Sequence, residues 1–248
     1  ATGVLVLCLE ESTRIAGYLT ELDKEYIITM KLGERTDTFD ADGKVIATAK
    51  DFHVSSERLE EVLKRFTGTQ LQKVPPYSAV KRGGMPLYKM ARKGIEFERP
   101  VKEVTIYEIE LLEFNGVSAK IRTRCSKGTY VRTLVDDIGE SLGTFAHITG
   151  LVRTAVGPFR IEDSVSFEDL KEGRFSLLPP DRGLSQYPEL RLKPAEARLL
   201  KNGAFVPVPL TLKVRDGILI RLYDEGGFFG LGLVRAGRIK PERILRTE

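Results

Sequence analysis

Apolar and polar residues alternate with period two over residues 25–32. Tyr26, Ile28, Met30 and Leu32 fall on one face and Ile27, Thr29 and Lys31 on the other, the pattern of a half-buried strand. The unbroken apolar run 4–9 reads instead as a strand buried on both faces. Between them Ser12 opens a short helical pattern, with Ile15, Leu19 and Leu22 on one side. Gly33 ends the strand 25–32, and Asp42-Gly43 turns the chain into a second strand, 44–49, which predicts a hairpin with a long polar loop. A helix follows from Ser55 or Ser56, with Leu59, Val62, Leu63 and Phe66 inward and Gly68 as its stop. Strands 103–114 and 117–125 are joined by Asn115-Gly116, a strong hairpin signal. Ser126-Lys127-Gly128-Thr129 then leads into a helix whose buried stripe is Val131, Leu134, Val135, Ile138 and Leu142, closed by Gly143.

Two stretches break this rhythm. Residues 73–100 carry Pro75-Pro76, Gly83-Gly84, Pro86 and Gly94 among basic residues and tyrosines, and read as an exposed excursion. Residues 173–194, rich in proline, glycine and leucine, read as a linker. Beyond it, short strands at 217–223 and 228–234 divided by glycine turns fit a small barrel-like β domain. The fold class expected is α+β.

Composition narrows the picture further. With 248 residues, 42% hydrophobic and 30% charged, the chain has the make-up of an ordinary globular protein with room for two cores. No segment has the apolar length needed to cross a bilayer, and the run 4–9 lacks the basic leader and cleavage site of a signal peptide. Two cysteines, Cys8 and Cys125, exclude a secreted disulfide framework, which points to a cytoplasmic protein. Two histidines, His53 and His147, and no C-x-x-C pair argue against a metal site. The loop Thr38-x-Asp40-x-Asp42-Gly43 mimics a calcium loop but has Ala49 where a bidentate Glu is required. Neither a dinucleotide nor a Walker motif occurs, so no cofactor is expected. The net charge of +4 is unevenly spread: residues 73–102 hold a surplus of six positive charges and residues 187–248 a surplus of five, leaving −7 on the remainder. Two basic segments on an acidic body suit a protein that grips a polyanion, although uneven solvated charge is the plainer explanation.

Two residues stand out individually. Arg132 lies in the first turn of its helix, where the macrodipole disfavours a cation, so an anionic group is expected beside it; an ordinary surface ion pair would also satisfy this. Tyr26 begins the inward row of its strand and is either a core aromatic or a phenol lining a pocket.

A series of segments resembles the TruB family of tRNA pseudouridine synthases. They are Ala1-Thr2-Gly3-Val4-Leu5, Asp23-Lys24-Glu25-Tyr26, the stretch from Leu32 to Gly43, Pro75-Pro76-Tyr77-Ser78-Ala79-Val80-Lys81, Leu87-Tyr88 with Ala91-Arg92 and Gly94, and Cys125-Ser126-Lys127-Gly128-Thr129-Tyr130-Val131-Arg132. The likeness covers nearly the whole chain, and the part from Lys201-Asn202-Gly203 onward is similar to a PUA domain. It implies a pseudouridine synthase domain at 1–186, with a mixed, mainly antiparallel sheet flanked by helices and loops and a basic RNA-binding insertion at about 73–100. A PUA-like RNA-binding domain would occupy 187–248.

The reaction implied isomerises a uridine in the T-arm loop of tRNA, using no cofactor and no metal; the sequence has no coiled-coil heptads to suggest more than a monomer. The family's nucleophilic aspartate would lie three residues before Ala1, so the chain as it stands is expected to be inactive. By the same resemblance Arg132 pairs with that aspartate, Tyr26 stacks on the uracil and acts as a base, and Tyr130 and Leu151 bind the flipped nucleotide. Lys127, Lys81, Arg82, Lys89 and Arg92 would meet RNA phosphates, with Tyr77 or Tyr88 as stacking platforms. The competing reading is a non-catalytic RNA-binding or chaperone protein on the same scaffold.

Overall fold

A computed structural model describes residues 2–246; Ala1, the first residue of the resemblance, and Thr247 and Glu248 lie outside the described residues. The chain divides into two compact units, one of residues 2–5, 23–156 and 160–162, the other of 6–22, 157–159 and 163–246. The α+β class holds in both.

In the first unit the strands are β1 (Thr2–Gly3), β2 (Lys24–Leu32), β3 (Glu34–Thr36), β4 (Val45–Thr48), β5 (Gly68–Lys73), β6 (Lys81–Arg82), β7 (Met85–Pro86), β8 (Val101–Phe114), β9 (Ser118–Cys125) and β10 (Ala146–Val156). The main sheet runs β1-β10-β2-β9-β8-β5, with β1 parallel to β10 and the other pairs antiparallel. Ile28, Met30 and Leu32 of β2, with Ala119 and Ile121 of the adjacent β9 and Ile106 of β8 beyond it, pack against the helices Ser56–Arg65 and Val131–Leu142. The inward row read from period two is therefore the core row. Ser55 caps the first helix through the Arg58 N–H, and Gly143 closes the second in the left-handed region, at φ 72°.

Three expectations need correction. Only Thr2–Gly3 of the N-terminal segment is a strand, and Leu5, Leu7 and Leu9 of the run 4–9 are exposed. The Val4 N–H still donates to the Arg153 carbonyl, but the Arg153 guanidinium occupies the Val4 carbonyl and the ladder ends there. The strand at Val45–Thr48 does not pair with β2, whose edges are taken by β9 and β10; it pairs with β3, after Gly33 at φ 94° redirects the chain. Strands β5 and β10 carry no clean alternation and escape the sequence pattern. Nor is 173–194 a simple linker: Leu184 is fully buried, and Leu192 sits in the core of the second unit.

The second unit has a five-stranded sheet in the spatial order Glu189–Arg191, Leu219–Asp224, Gly227–Arg235, Arg238–Ile244, Val206–Pro207, curled as a half-barrel. The helix Pro194–Lys201 contributes Ala197 and Leu200 to its core beside Ile220, Leu222, Phe229 and Ile239. The early helical residues belong here as well, with Ile15 and Leu19 packed against Leu184, Leu231 and Leu245. No helix among the described residues is long and apolar enough to cross a membrane.

Candidate active site

The helix Val131–Leu142 projects Arg132, Asp136 and Glu140 at four-residue spacing, so one face carries three charged groups in a row. That row runs along the loop after β3. Arg35 of β3 grips Asp136 with two hydrogen bonds of 2.5 Å, from Nε and Nη2, and reaches Glu140 at 3.5 Å. Its guanidinium lies 5.7 Å from the Phe39 ring centre and 5.8 Å from that of Phe145. Asp136 is almost wholly buried, and burial lifts its pKa above normal in spite of the guanidinium.

Asp137 makes no such ion pair among the described residues, and burial first, then the charges of Asp136 and Glu140, push it up to about 6 against the opposing Arg99 and Arg35. A carboxyl that keeps its proton to about pH 6 when folded, but releases it near 4 when unfolded, favours the folded state below about pH 4; that contribution is lost as the pH rises to 6. Asp137→Asn should therefore raise the thermal midpoint at pH 8, with a gain that shrinks as the pH is lowered toward 4. Thermal scans across that range check this; a gain that grows on acidification contradicts it.

One turn earlier, Arg132 finds its anion. Nη1 donates to Asp40 Oδ2 at 3.0 Å and to the Thr38 carbonyl at 3.2 Å, and Nη2 donates to the Tyr77 carbonyl at 2.9 Å. The Thr38 hydroxyl holds the other oxygen of Asp40 at 2.6 Å, and the Tyr77 hydroxyl reaches Asp37 at 3.4 Å. The side chains of Arg132 and Asp40 each retain 27% exposure, so the pair is open to solvent on one side. Arg132 thus joins the polar loop after β3 to the start of the basic excursion. The polar loop, rejected above as a calcium site, supplies the acid its helix position calls for. Sequence reasoning missed Asp40 in this role because the pair spans 92 residues.

A second group forms where β2 meets β10. Tyr26 stands opposite Arg153, and Ile28 opposite Leu151, so Tyr26, Leu151 and Arg153 share a face of the sheet. Tyr26 is half-buried; burial first, and then Cys125, raise the pKa of its phenol, while Arg153 opposes through its charge and a hydrogen bond. Cys125, the last residue of β9, acts on Tyr26 and is hydrogen-bonded to Thr129, and burial pushes its thiol up to about 11. Arg153 is a further residue that periodicity alone did not single out.

The other candidates are placed more loosely. Tyr130 precedes the helix at its N-cap and is partly exposed, and Lys127 is exposed in the loop before it. Lys81, Arg82, Lys89 and Arg92 are exposed on the β6–β7 hairpin and the helix Leu87–Arg92. Arg82 donates to the Glu98 carbonyl, and Arg92 lies 5.6 Å from the Tyr88 ring centre. Among the described residues no group of His, Cys, Asp and Glu could hold a metal.

This arrangement matches known sequences along its whole length. Residues 1–131 fit the N-terminal domain of TruB family pseudouridylate synthases, 132–198 the tRNA pseudouridylate synthase B C-terminal domain, and 188–245 the pseudouridine synthase II TruB C-terminal domain. The chain is 43% identical to a protein named tRNA pseudouridine synthase B from Azoarcus sp., over 100% of this chain and 83% of that one. It is 38% identical to the protein of that name from Haemophilus influenzae, over 99% and 82%. Among solved structures it resembles a Cbf5-Nop10-Gar1 complex, with TM-score 0.72, 24% identity and coverage of 98% of this chain and 72% of that one. An H/ACA RNP bound to a substrate RNA containing 2'-deoxyuridine gives TM-score 0.70 at 21% identity, over 96% and 71%.

Proposed function

The chain belongs to the TruB family of pseudouridylate synthases, and from that premise we propose that it isomerises a uridine in the T-arm loop of tRNA to pseudouridine. The observation that carries this reading is Arg132: a guanidinium at an unfavourable helix end, in the family's Cys125–Arg132 segment, facing an acidic loop and half open to solvent.

Uracil leaves C1′ of the ribose, turns, and rejoins through C5, so no atom is gained or lost overall and no cofactor is called for. A carboxylate must stay ionised beside the sugar while the base is out of its stack, and a partly desolvated guanidinium keeps it so. By family resemblance that carboxylate is the aspartate of the motif that Ala1 continues, with Arg132 as its partner. The target base has to leave the loop's stack, and aromatic and apolar contacts offset what it loses. Tyr26, Tyr130 and Leu151 provide these, with Tyr26 the platform for the uracil. Lys127, Lys81, Arg82, Lys89 and Arg92 meet phosphates. Tyr88, with Arg92 over its ring, remains a stacking candidate, whereas Tyr77 serves through its bonds to Arg132 and Asp37. The segment 187–248, most of which fits the TruB C-terminal domain, adds an RNA-binding surface in the manner of a PUA domain. The protein acts in the cytoplasm as a monomer.

The test is tritium release from C5-labelled uridine in tRNA, followed in single turnover with the protein as its gene encodes it. Absence of release with tight tRNA binding would establish the non-catalytic RNA-binder instead. Tyr26 separates the steps. Burial and Cys125 hold its phenol above its usual pKa of 10, which leaves it a poor base at neutral pH unless bound substrate changes its surroundings. Tyr26→Phe is expected to fold and bind tRNA normally but to release tritium far more slowly, with Tyr26→Leu at least as slow. If Phe matches Tyr while Leu fails, the residue only stacks; if both match wild type, it is structural.

A further inference from the structure

We infer that Gln72 is a positioning residue for the nucleotide-binding loop, acting through the backbone of Tyr130; the inference rests on the reading that Tyr130 contacts the extruded uridine and that Arg132 holds the carboxylate beside it. Gln72 is a long polar side chain that is only 3% exposed on the edge strand β5. Its amide makes both bonds that a neighbouring strand would make: Oε1 accepts the Tyr130 N–H at 2.8 Å, and Nε2 donates to the Tyr130 carbonyl at 3.1 Å. That carbonyl also takes the Leu134 N–H, the first bond of the helix.

Register explains why Gln72 can reach. Strand β9 ends at Cys125, opposite Ile106 of β8, whereas β8 begins at Val101 and carries β5 beside it, with Gln72 opposite Lys102. The β8–β5 pair therefore runs on past the end of β9, and the segment from Ser126 to Tyr130 crosses that overhang. A second tie joins the same strand and helix, from the Thr133 hydroxyl to the Lys73 carbonyl at 3.3 Å.

Tyr130 sits between a turn with Gly128 at φ 77° and the first helical residue, in extended backbone at φ −97°, ψ 100°. A residue at such a junction swings easily unless its peptide is held. Arg132 follows two residues later, so holding this one peptide steadies the backbone from which both side chains leave, while Thr38, Asp40 and Tyr77 hold the far end of Arg132. A small displacement of catalytic or binding groups costs on the order of a hundredfold in rate.

A merely structural glutamine and a positioning one predict opposite rankings. If burial is what counts, Gln72→Met, apolar and of similar size, is tolerated, and Gln72→Glu, which buries a charge, is not. If the grip on Tyr130 counts, Glu keeps the acceptor for the Tyr130 N–H and Met keeps neither bond. The expected order of single-turnover tritium release at saturating tRNA is then Gln above Glu above Met. Met should be slower on the order of tenfold to a hundredfold, with tRNA affinity changed by no more than a few-fold. Should the Met protein not fold, Gln72→Asn, too short to make both bonds, takes its place in the ranking.

A Met or Asn protein as fast as wild type, with Glu slow, overturns the positioning role. So does amide exchange in the unsubstituted protein that is as fast at Tyr130 as at Gly128, because the grip would then be absent in solution. A wild-type protein that releases no tritium at all refutes the functional reading itself, an outcome distinct from either.

Discussion

Arg132→Met is expected to abolish turnover while leaving tRNA affinity within a few-fold of wild type. The methionine fills a similar volume but can make none of the bonds that Arg132 makes to Asp40, Thr38 and Tyr77. Two costs must be separated. Losing the ion pair to Asp40 is a small stability cost, on the order of 1 kcal/mol or less for groups this exposed. Losing the cation proposed to keep the family's carboxylate ionised beside the substrate is a loss of chemistry, and should appear in the single-turnover rate at saturating tRNA. Asp40→Asn provides the control, since it removes the ion pair yet leaves both carbonyls to hold the guanidinium in place. Its rate should fall less than that of Arg132→Met. Arg132→Lys should recover little, because one ammonium cannot span acceptors on two separate loops. Near-normal turnover in Arg132→Met would sink the assignment. Equal losses in Arg132→Met and Asp40→Asn would mean that Arg132 serves only to tie the loops together.

The elements that are easily read from the sequence are those whose environment is one-sided. Strand β2 shows its core row as Tyr26, Ile28, Met30 and Leu32 because one of its faces is packed against helices; the Ser56 and Val131 helices show theirs for the same reason. Strand β10 is central as well, but its pairing with β2 slips twice, at Ile148/Gly150 and Arg153/Ala155. Each slip breaks the period of two, and the alternation never shows. Strand β5 presents exposed Leu71 and buried Gln72, the reverse of what polarity suggests, because its buried position is used to bond a backbone rather than to fill a core.

The same distinction governs the site. Arg132 is conspicuous because a cation at a helix start contradicts a local electrostatic rule. Asp40, Gln72 and Arg153 contradict nothing locally; their partners lie 92, 58 and 127 residues away and are supplied only by the fold. Residues 4–9 show the converse error. An apolar run implies burial only where a neighbour is available to cover it, and past Val4 the strand pairing stops.

Arg35→Ala is expected to be the most destabilising single change around the site, at about 3–5 kcal/mol at neutral pH, toward the lower end because Arg35 itself keeps some exposure. The cause is Asp136, whose carboxylate is 2% exposed and takes both donors of the Arg35 fork. Burial already outweighs the guanidinium and holds the Asp136 pKa above normal. Without Arg35 the fold must either bury an unpaired carboxylate or bind a proton there, and either choice costs stability at pH 7. The loss should therefore shrink as the pH falls and Asp136 becomes protonated in folded and unfolded chains alike. The two aromatic contacts of Arg35, to Phe39 and Phe145, are lost in addition and do not depend on pH. Arg35→Met combined with Asp136→Leu removes the charge along with its partner and should recover most of the stability, as buried pairs commonly do when both members become apolar. Chemical denaturation at pH 7 and pH 5 measures all three quantities. A loss below about 1 kcal/mol at pH 7, or a double variant no better than Arg35→Ala alone, would show that Asp136 is solvated in solution and that the helix is tied to β3 by packing alone.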